Sequence, residues 1–125
     1  MLLDTSFLID LVEETNAGTP GAAVRWLTNH RHQRHWIPVI CVGELAAGMR
    51  NNNLARLFLA QFRVVRLHPE VAFEAADIDR ELMRTGQRLG ENDNWIAGFA
   101  RYYGEAVVSN DGDFDRVPGI RRIAY

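Results

Sequence analysis

Short apolar runs alternate with longer amphipathic segments along the whole chain. Met1–Leu3 is apolar and too short for a helix, so we predict a buried strand that ends at Asp4. Four more short strands are predicted at Trp36–Ile37, Val64–Leu67, Ala106–Ser109 and Ile120–Ala124. The segments between them carry apolar residues at helical spacing. Helices are predicted over Ser6–Val12, Gly21–Asn29, 39–50, Leu54–Phe62, 69–85 and 91–103.

This alternation indicates an α/β protein. Short apolar strands separated by helices imply right-handed crossovers and a parallel sheet that is covered on both faces. We therefore predict a three-layer α/β/α sandwich around a central, parallel, five-stranded sheet. Nothing along the 125 residues resembles a linker or a repeat, so one domain is expected over 1–125. In such sheets the functional site lies beyond the carboxyl ends of the strands.

Five acidic residues fall where that rule places a site. Asp4 follows the first strand, and Asp111 and Asp113 follow the fourth. Asp93 stands at the start of the helix that leads into the fourth strand, and Glu44 lies in the first turns of the helix after the second. We expect these carboxylates to surround one cleft at one edge of the sheet.

Clustered carboxylates indicate a divalent metal ion. Like charges a few ångströms apart raise one another's pKa, and a bound cation relieves that repulsion. Carboxylate oxygens with open water positions suit Mg²⁺ or Mn²⁺. Such a centre hydrolyses phosphodiesters, because the ion activates a water and neutralises charge on the phosphate. All five acidic residues are therefore predicted catalytic residues and metal ligands.

Each acidic residue taken alone has a structural explanation. Asp4 and Asp93 are suited to capping helices, and Asp111 or Asp113 to a turn. Glu44 is harder to explain as a solvated side chain, because its neighbours in sequence are apolar. The hypothesis depends on the shared placement of the five residues.

Composition removes several alternatives. The formal net charge is −2 and the pI is about 6.1, which argues against nucleic-acid binding by a broad basic surface. All 14 basic residues are arginine, so two lysine-dependent classes, receiver domains and haloacid-dehalogenase-type phosphatases, are disfavoured. Arg84 and Arg88 precede the Asp93 helix and are predicted RNA contacts, although exposed arginines at a helix end without such a role are the commoner case.

The remaining chemistry-bearing residues indicate less. Cys41 is the only cysteine, so no intramolecular disulfide forms, and a reducing compartment is expected. The first residues lack a signal-peptide pattern and no apolar run would span a bilayer, so we expect a cytoplasmic protein with no membrane association. His30, His32 and His35 match no metal-binding spacing and are interpreted as part of a solvated loop.

Several motifs resemble a known family. They are Asp4–Asp10, Gly43–Leu45 with Gly48, Gly90–Ala97 and Ser109–Gly119. In this order they are similar to the motifs of PIN-domain ribonucleases, and specifically to the VapC-type toxins of toxin–antitoxin pairs. The resemblance covers nearly the whole chain.

The resemblance implies Mg²⁺- or Mn²⁺-dependent RNA cleavage, a PIN-like fold, a homodimer and neutralisation by a small VapB-type antitoxin. Ser6 and Ser109 are placed to hydrogen-bond a carboxylate or a water in support of the metal site, with simple turn hydroxyls as the alternative. The main functional alternative is a catalytically weak PIN-fold binding or assembly module. The intact acidic set favours the enzyme.

An apolar partner surface is also predicted. Apolar residues on the Leu54–Phe62 helix, together with Trp26, Trp36 and Phe73, exceed what the core needs. Tyr102, Tyr103 and Phe114 are expected in the core or in a dimer contact rather than as platforms for base stacking.

Overall fold

The computed structural model describes residues 1–125. The strands are β1 (Leu2–Leu3), β2 (Trp36–Pro38), β3 (Arg63–Val65), β4 (Val107–Val108) and β5 (Arg122–Ile123). The α-helices are α1 (Thr5–Ala17), α2 (Ala22–Asn29), α3 (Val39–Gly48), α4 (Asn52–Leu59), α5 (Pro69–Arg84) and α6 (Glu91–Tyr103). A 3₁₀ helix, Gly112–Arg116, lies between β4 and β5.

The sheet is five-stranded and entirely parallel, in the order β3-β2-β1-β4-β5. The central strand β1 pairs with β2 through Leu2 and Trp36, and with β4 through Leu2 and Val107. Because the strands are parallel, their carboxyl ends meet at one edge. The predicted fold class is confirmed.

Helices cover both faces of the central strands. Leu2, Leu3, Val107 and Val108 are fully buried, as continuous apolar runs in parallel sheets require. The core extends from these strands into the helices on either side, where large aromatic side chains are also fully buried. Because both faces of the central strands are covered, polar groups lie at the ends of the strands and not on the faces of the sheet.

The hairpin of α5 and α6 fixes the position of the α6 N-terminus. A Cβ atom at Gly98 would lie 2.8 Å from the Ala75 Cβ, so only glycine permits this helix approach. The Arg101 guanidinium bridges the hairpin, with contacts of 2.7 Å to Glu74 and 2.8 Å to Glu81. The longest predicted helix and its successor are confirmed.

The first helix is longer than predicted, running to residue 17 rather than 12. Its polar final turns continue on the solvent side until Gly18, which adopts a left-handed conformation with φ of 69° and ends the helix. Within that extension, the Glu14 carboxylate accepts hydrogen bonds from backbone N–H groups at the start of α2, including those of Ala23 and Val24. Sequence patterning missed this capping contact because it joins two elements.

Other boundaries also differ. The segment 110–115, whose aspartates suit a tight turn, instead contributes to the 3₁₀ helix Gly112–Arg116, because Phe114 is buried in the core there. The helix α3 ends at Gly48 instead of residue 50, and α4 starts at residue 52, where the Asn51 side chain caps the Leu54 N–H at 3.1 Å. Strand β3 ends at Val65, so residue 67 lies outside it.

The exposure of the aromatic residues corrects part of the predicted partner surface. Trp26 is 8% exposed and stacks on His30, so it belongs to the core and not to a surface. Phe73 and Leu57 are 63% and 75% exposed, as the prediction required. Tyr102 is 42% exposed, which removes it from the core. No helix combines the length and the apolar character needed to cross a membrane.

Candidate active site

Asp4 is a buried carboxylate at the centre of the strand-end edge. It follows β1, caps α1 and is 4% exposed. Its Oδ1 accepts the Thr5 N–H at 2.7 Å, and its Oδ2 accepts the Ser6 and Ser109 hydroxyls at 2.8 and 2.7 Å. A carboxylate has about four acceptor positions, so Oδ1 retains one for a further partner.

Glu44 connects three elements at the same edge. Its Oε2 accepts the Thr5 hydroxyl from the start of α1. Its Oε1 accepts the Asn92 amide from the start of α6 at 2.8 Å. Both oxygens of Glu44 are therefore held in place by neutral donors.

Asp93 lies in the first turn of α6. Burial, followed by the negative charges of Asp4, Asp111, Glu44 and Asp113 in that order, raises its pKa to about 6. The hydrogen bonds that organise the other carboxylates do not include the Asp93 side chain. The charges of the other four predicted acidic residues therefore all act on Asp93.

The two aspartates after β4 are held differently. The Asp111 N–H donates to the Ser109 hydroxyl at 3.0 Å, and its Oδ1 accepts the Asp113 N–H at 2.8 Å. The Asp113 carboxylate instead forms an ion pair with Arg116 at 2.7 Å. Asp111 also contributes more than Asp113 to the raised pKa of Asp93.

The donor set suits a hard cation with an incomplete protein shell. Asp4 and Asp93 offer carboxylate oxygens that the chain's own hydrogen bonds do not saturate. No three or more Asp, Glu, His or Cys side chains are arranged around a single ion position. Mg²⁺ is commonly held by one or two carboxylates, with waters and substrate phosphates completing its shell. The residues fit that kind of centre and not a cage made only of protein ligands.

Neither of the two predicted RNA-contacting arginines forms an ion pair with these carboxylates. Arg88 forms a two-pronged ion pair with Asp79, at 2.8 and 2.9 Å, on the rim of a cavity of about 390 Å³ between α5 and α6. Arg84 is exposed in the last turn of α5. Their contact with RNA stays a prediction.

Three contributors to the site were missed from the sequence. Thr5 and Asn92 hold Glu44, and Arg116 binds Asp113. The first two directly adjoin predicted site carboxylates in the chain, and that adjacency is the signal that could have found them. The local sequence does not predict the role of Arg116, because its contact with Asp113 depends on the 3₁₀ helix.

Comparison with known proteins agrees with this geometry. The model of the PIN domain family matches residues 1–120. The chain belongs to the PIN domain family. The family assignment confirms the resemblance found in the motifs.

Relatives of known description are VapC proteins. The chain is 30% identical over 128 residues to the tRNA(fMet)-specific endonuclease VapC of Shigella flexneri, covering 96% of this PIN-domain chain and 93% of that protein. It is 36% identical over 73 residues to the tRNA(fMet)-specific endonuclease VapC of Salmonella typhimurium. That alignment covers 58% of the chain and 55% of the Salmonella protein, so it spans about half of that relative's length.

Solved structures share the fold. DNA-bound VapBC from Salmonella typhimurium aligns with a TM-score of 0.83 and 27% identity, over 98% of this chain and 96% of that chain. VapBC2 from Rickettsia felis, bound to a promoter DNA fragment, aligns with a TM-score of 0.84 and 20% identity, over 98% and 96%. At 20% identity the second likeness concerns the fold alone.

Proposed function

We propose that this PIN-domain protein is a ribonuclease that hydrolyses RNA phosphodiesters with Mg²⁺ or Mn²⁺, and that it is the toxin of a VapBC-type pair. The observation that carries the proposal is the placement of five carboxylates at one sheet edge, where burial and the charges of the other four raise the pKa of Asp93 to about 6. A bound cation offsets the repulsion between such carboxylates in a folded protein. Family membership and the names of the relatives support the same reaction class.

Asp4 and Asp93 are the proposed ligands of the ion. When bound, the divalent ion supplies Lewis-acid chemistry and compensates negative charge on the reacting phosphate. Ser6 and Ser109 fix Oδ2 of Asp4, which leaves an Oδ1 acceptor position free. We assign the third acidic role to Asp111, because Asp113 is engaged by Arg116.

Glu44 supplies fixed negative charge to the site. Thr5 and Asn92 hold its two oxygens, so its carboxylate keeps one orientation across the junction of three helices. This arrangement supports a positioning role for the two neutral residues. Glu44 differs in this respect from Asp93, whose carboxylate accepts no such hydrogen bonds.

The nuclease proposal is tested by Asp4→Asn and Asp93→Asn in a cleavage assay with single-stranded RNA and Mg²⁺. Each change removes one charge at nearly constant volume, and we expect at least about a hundredfold loss of rate. Asp77→Asn on the exposed face of α5 is the matched control and should cleave normally. The products should carry 5′-phosphate and 3′-hydroxyl ends. Full activity in either site variant, or 2′,3′-cyclic phosphate ends, would contradict this mechanism.

The proposed partner is a small VapB-type antitoxin that presents an arginine to the acidic cleft. A groove beside the site leads from Glu44 past Ile9 and Val12 towards Leu54 and Phe58, with cavities of about 190 and 380 Å³. An apolar segment that ends in a guanidinium would match both the groove and the carboxylates. Inhibition should therefore weaken as salt or Mg²⁺ rises.

We further propose that the protein acts in the cytoplasm as a homodimer. Exposed apolar side chains, including Leu57 and Phe73, support an additional protein interface. Light scattering reports the oligomeric state, and expression in a bacterial host with and without the antitoxin reports toxicity. A monomer that cleaves RNA in vitro but is harmless alone would refute the toxin role and leave the nuclease role intact. A purified protein that binds RNA but never cleaves it would favour the alternative, a PIN-fold binding module.

A further inference from the structure

An aromatic and basic cavity lies along the edge strand β3 and reaches the end of α6. It has a volume of about 350 Å³ and is lined by Trp36, Arg63, Val64, Val65, Arg66, His68 and Tyr103. We call it the arginine–aromatic groove. Trp36 and Arg63 start their strands, and Tyr103 ends α6, the helix whose first turn contains Asp93. At 1.5 Å per residue, α6 places Tyr103 about 15 Å from Asp93 along the helix axis.

The aromatic wall of the groove is fixed by edge-to-face contacts. The Trp36 and Tyr103 rings meet at 85° with centroids 5.7 Å apart. His68 Nε2 lies 3.1 Å from the Tyr103 hydroxyl. Tyr102 stands at the rim, 5.0 Å from the His68 ring, and is 42% exposed. A flat ligand would therefore meet a preformed aromatic surface.

The charge of the groove is positive and uncompensated. The Arg63 guanidinium carbon lies 5.4 Å from the centroid of the Trp36 ring, a cation–π contact that leaves its N–H donors available. Both Arg63 and Arg66 are exposed, and no carboxylate lines the groove. Of the twelve other arginines in the chain, five form ion pairs with carboxylates: Arg80, Arg88, Arg101, Arg116 and Arg122.

We propose that the arginine–aromatic groove binds a segment of single-stranded RNA remote from the cleaved bond, with phosphates on Arg63 and Arg66 and a base against Tyr102. Arginine beside exposed aromatic rings is the combination that binds single strands without base-specific hydrogen bonds. The identification of that RNA as the enzyme's substrate rests on the proposed function. An acidic peptide would satisfy the two guanidinium groups, but base stacking also accounts for the exposed Tyr102 ring beside them.

The test is RNA binding by the full chain in EDTA, which separates the groove from the metal site. Anisotropy of a fluorescently labelled single-stranded RNA is measured against salt for Arg63→Ala and Arg66→Ala. Each variant should bind several-fold more weakly, and its negative slope of log K against log salt should become shallower by about 0.7. Arg25→Ala, an exposed arginine on α2, changes the net charge equally and should keep the wild-type slope. Tyr102→Ala should weaken binding roughly tenfold, and Tyr102→Phe should restore it.

The outcomes are distinct. Slopes equal to that of Arg25→Ala in both groove variants, or no RNA binding by the wild type, would overturn the groove assignment. Loss of self-association in sedimentation, with RNA binding unchanged, would show instead that the groove is an interface between copies of this chain, and would also overturn it. Groove-dependent RNA binding by a protein that cleaves nothing with Mg²⁺ would uphold the groove and refute the proposed nuclease.

Discussion

Removing the Asp93 charge is expected to stabilise the protein in the absence of metal. The pKa of Asp93 rises from its ordinary value of 3.8 to about 6 in the folded state. An acid whose pKa is raised by folding binds protons more tightly in the folded state, so its ionisation lowers stability. This loss of stability is complete above pH 6, becomes smaller as the pH falls from 6 to 3.8, and is absent below pH 3.8.

The size of the gain in stability follows from the pKa difference and from two corrections that both reduce it. A difference of about 2 in pKa, at about 1.4 kcal/mol for each pH unit, gives an upper value near 3 kcal/mol. Solvent reaches part of the Asp93 side chain, and screening reduces this to about 1–2 kcal/mol. The lost interaction with the N-terminus of α6 subtracts about 0.5 kcal/mol. Asp93→Asn should therefore raise the free energy of unfolding by about 1 kcal/mol at pH 7.

Thermal unfolding followed by circular dichroism in EDTA measures this gain. For a chain of this length, 1 kcal/mol corresponds to an increase in Tm of about 3–6 °C. The gain should disappear at pH 4, where Asp93 is largely protonated in the folded protein. Asp77→Asn is the control, because Asp77 is exposed and pairs only with Arg80 on the same helix. Such a pair contributes little to stability.

A second comparison separates charge relief from general stabilisation. Mg²⁺ should raise the Tm of the wild type and have much less effect on Asp93→Asn. Destabilisation of Asp93→Asn at pH 7, or a change in Tm that is the same at pH 4 and pH 7, would refute the reasoning. Either result would identify Asp93 as a simple helix-capping acid.

Two further changes test the frame around the site. Asn92→Ala removes the 2.8 Å hydrogen bond to Glu44 and should slow RNA cleavage roughly tenfold while Tm changes little; a wild-type single-turnover rate would exclude a positioning role for Asn92. Gly98→Ala should destabilise the chain by about 1–3 kcal/mol in urea unfolding, because the new methyl group would lie 2.8 Å from the Ala75 Cβ. Gly43→Ala, where the added Cβ meets nothing within 4 Å, is its control and should be neutral or stabilising.

Hydrophobic periodicity predicted the order and type of nearly every element, because each strand and helix buries a face that is written in consecutive residues. The element ends were less accurate. The helix α1 continues to Ala17 because Gly18 can adopt a positive φ and Glu14 caps the next helix. The 112–116 segment coils because Phe114 finds space in the core. Such ends depend on contacts between elements that a local pattern does not contain.

The order of strands and carboxylates along the chain was enough to predict which carboxylates lie together, since the carboxyl ends of parallel strands share one edge of the sheet. How each carboxylate is held depends on contacts between distant parts of the chain. Asp4 receives the Ser109 hydroxyl from 105 residues away, and Glu44 receives the Asn92 amide from 48 residues away. Only the packed fold differentiates Asp93, because its raised pKa comes from burial and from charges on separate elements. Hydrogen bonding and electrostatics act through space, so their partners emerge only when the chain has folded.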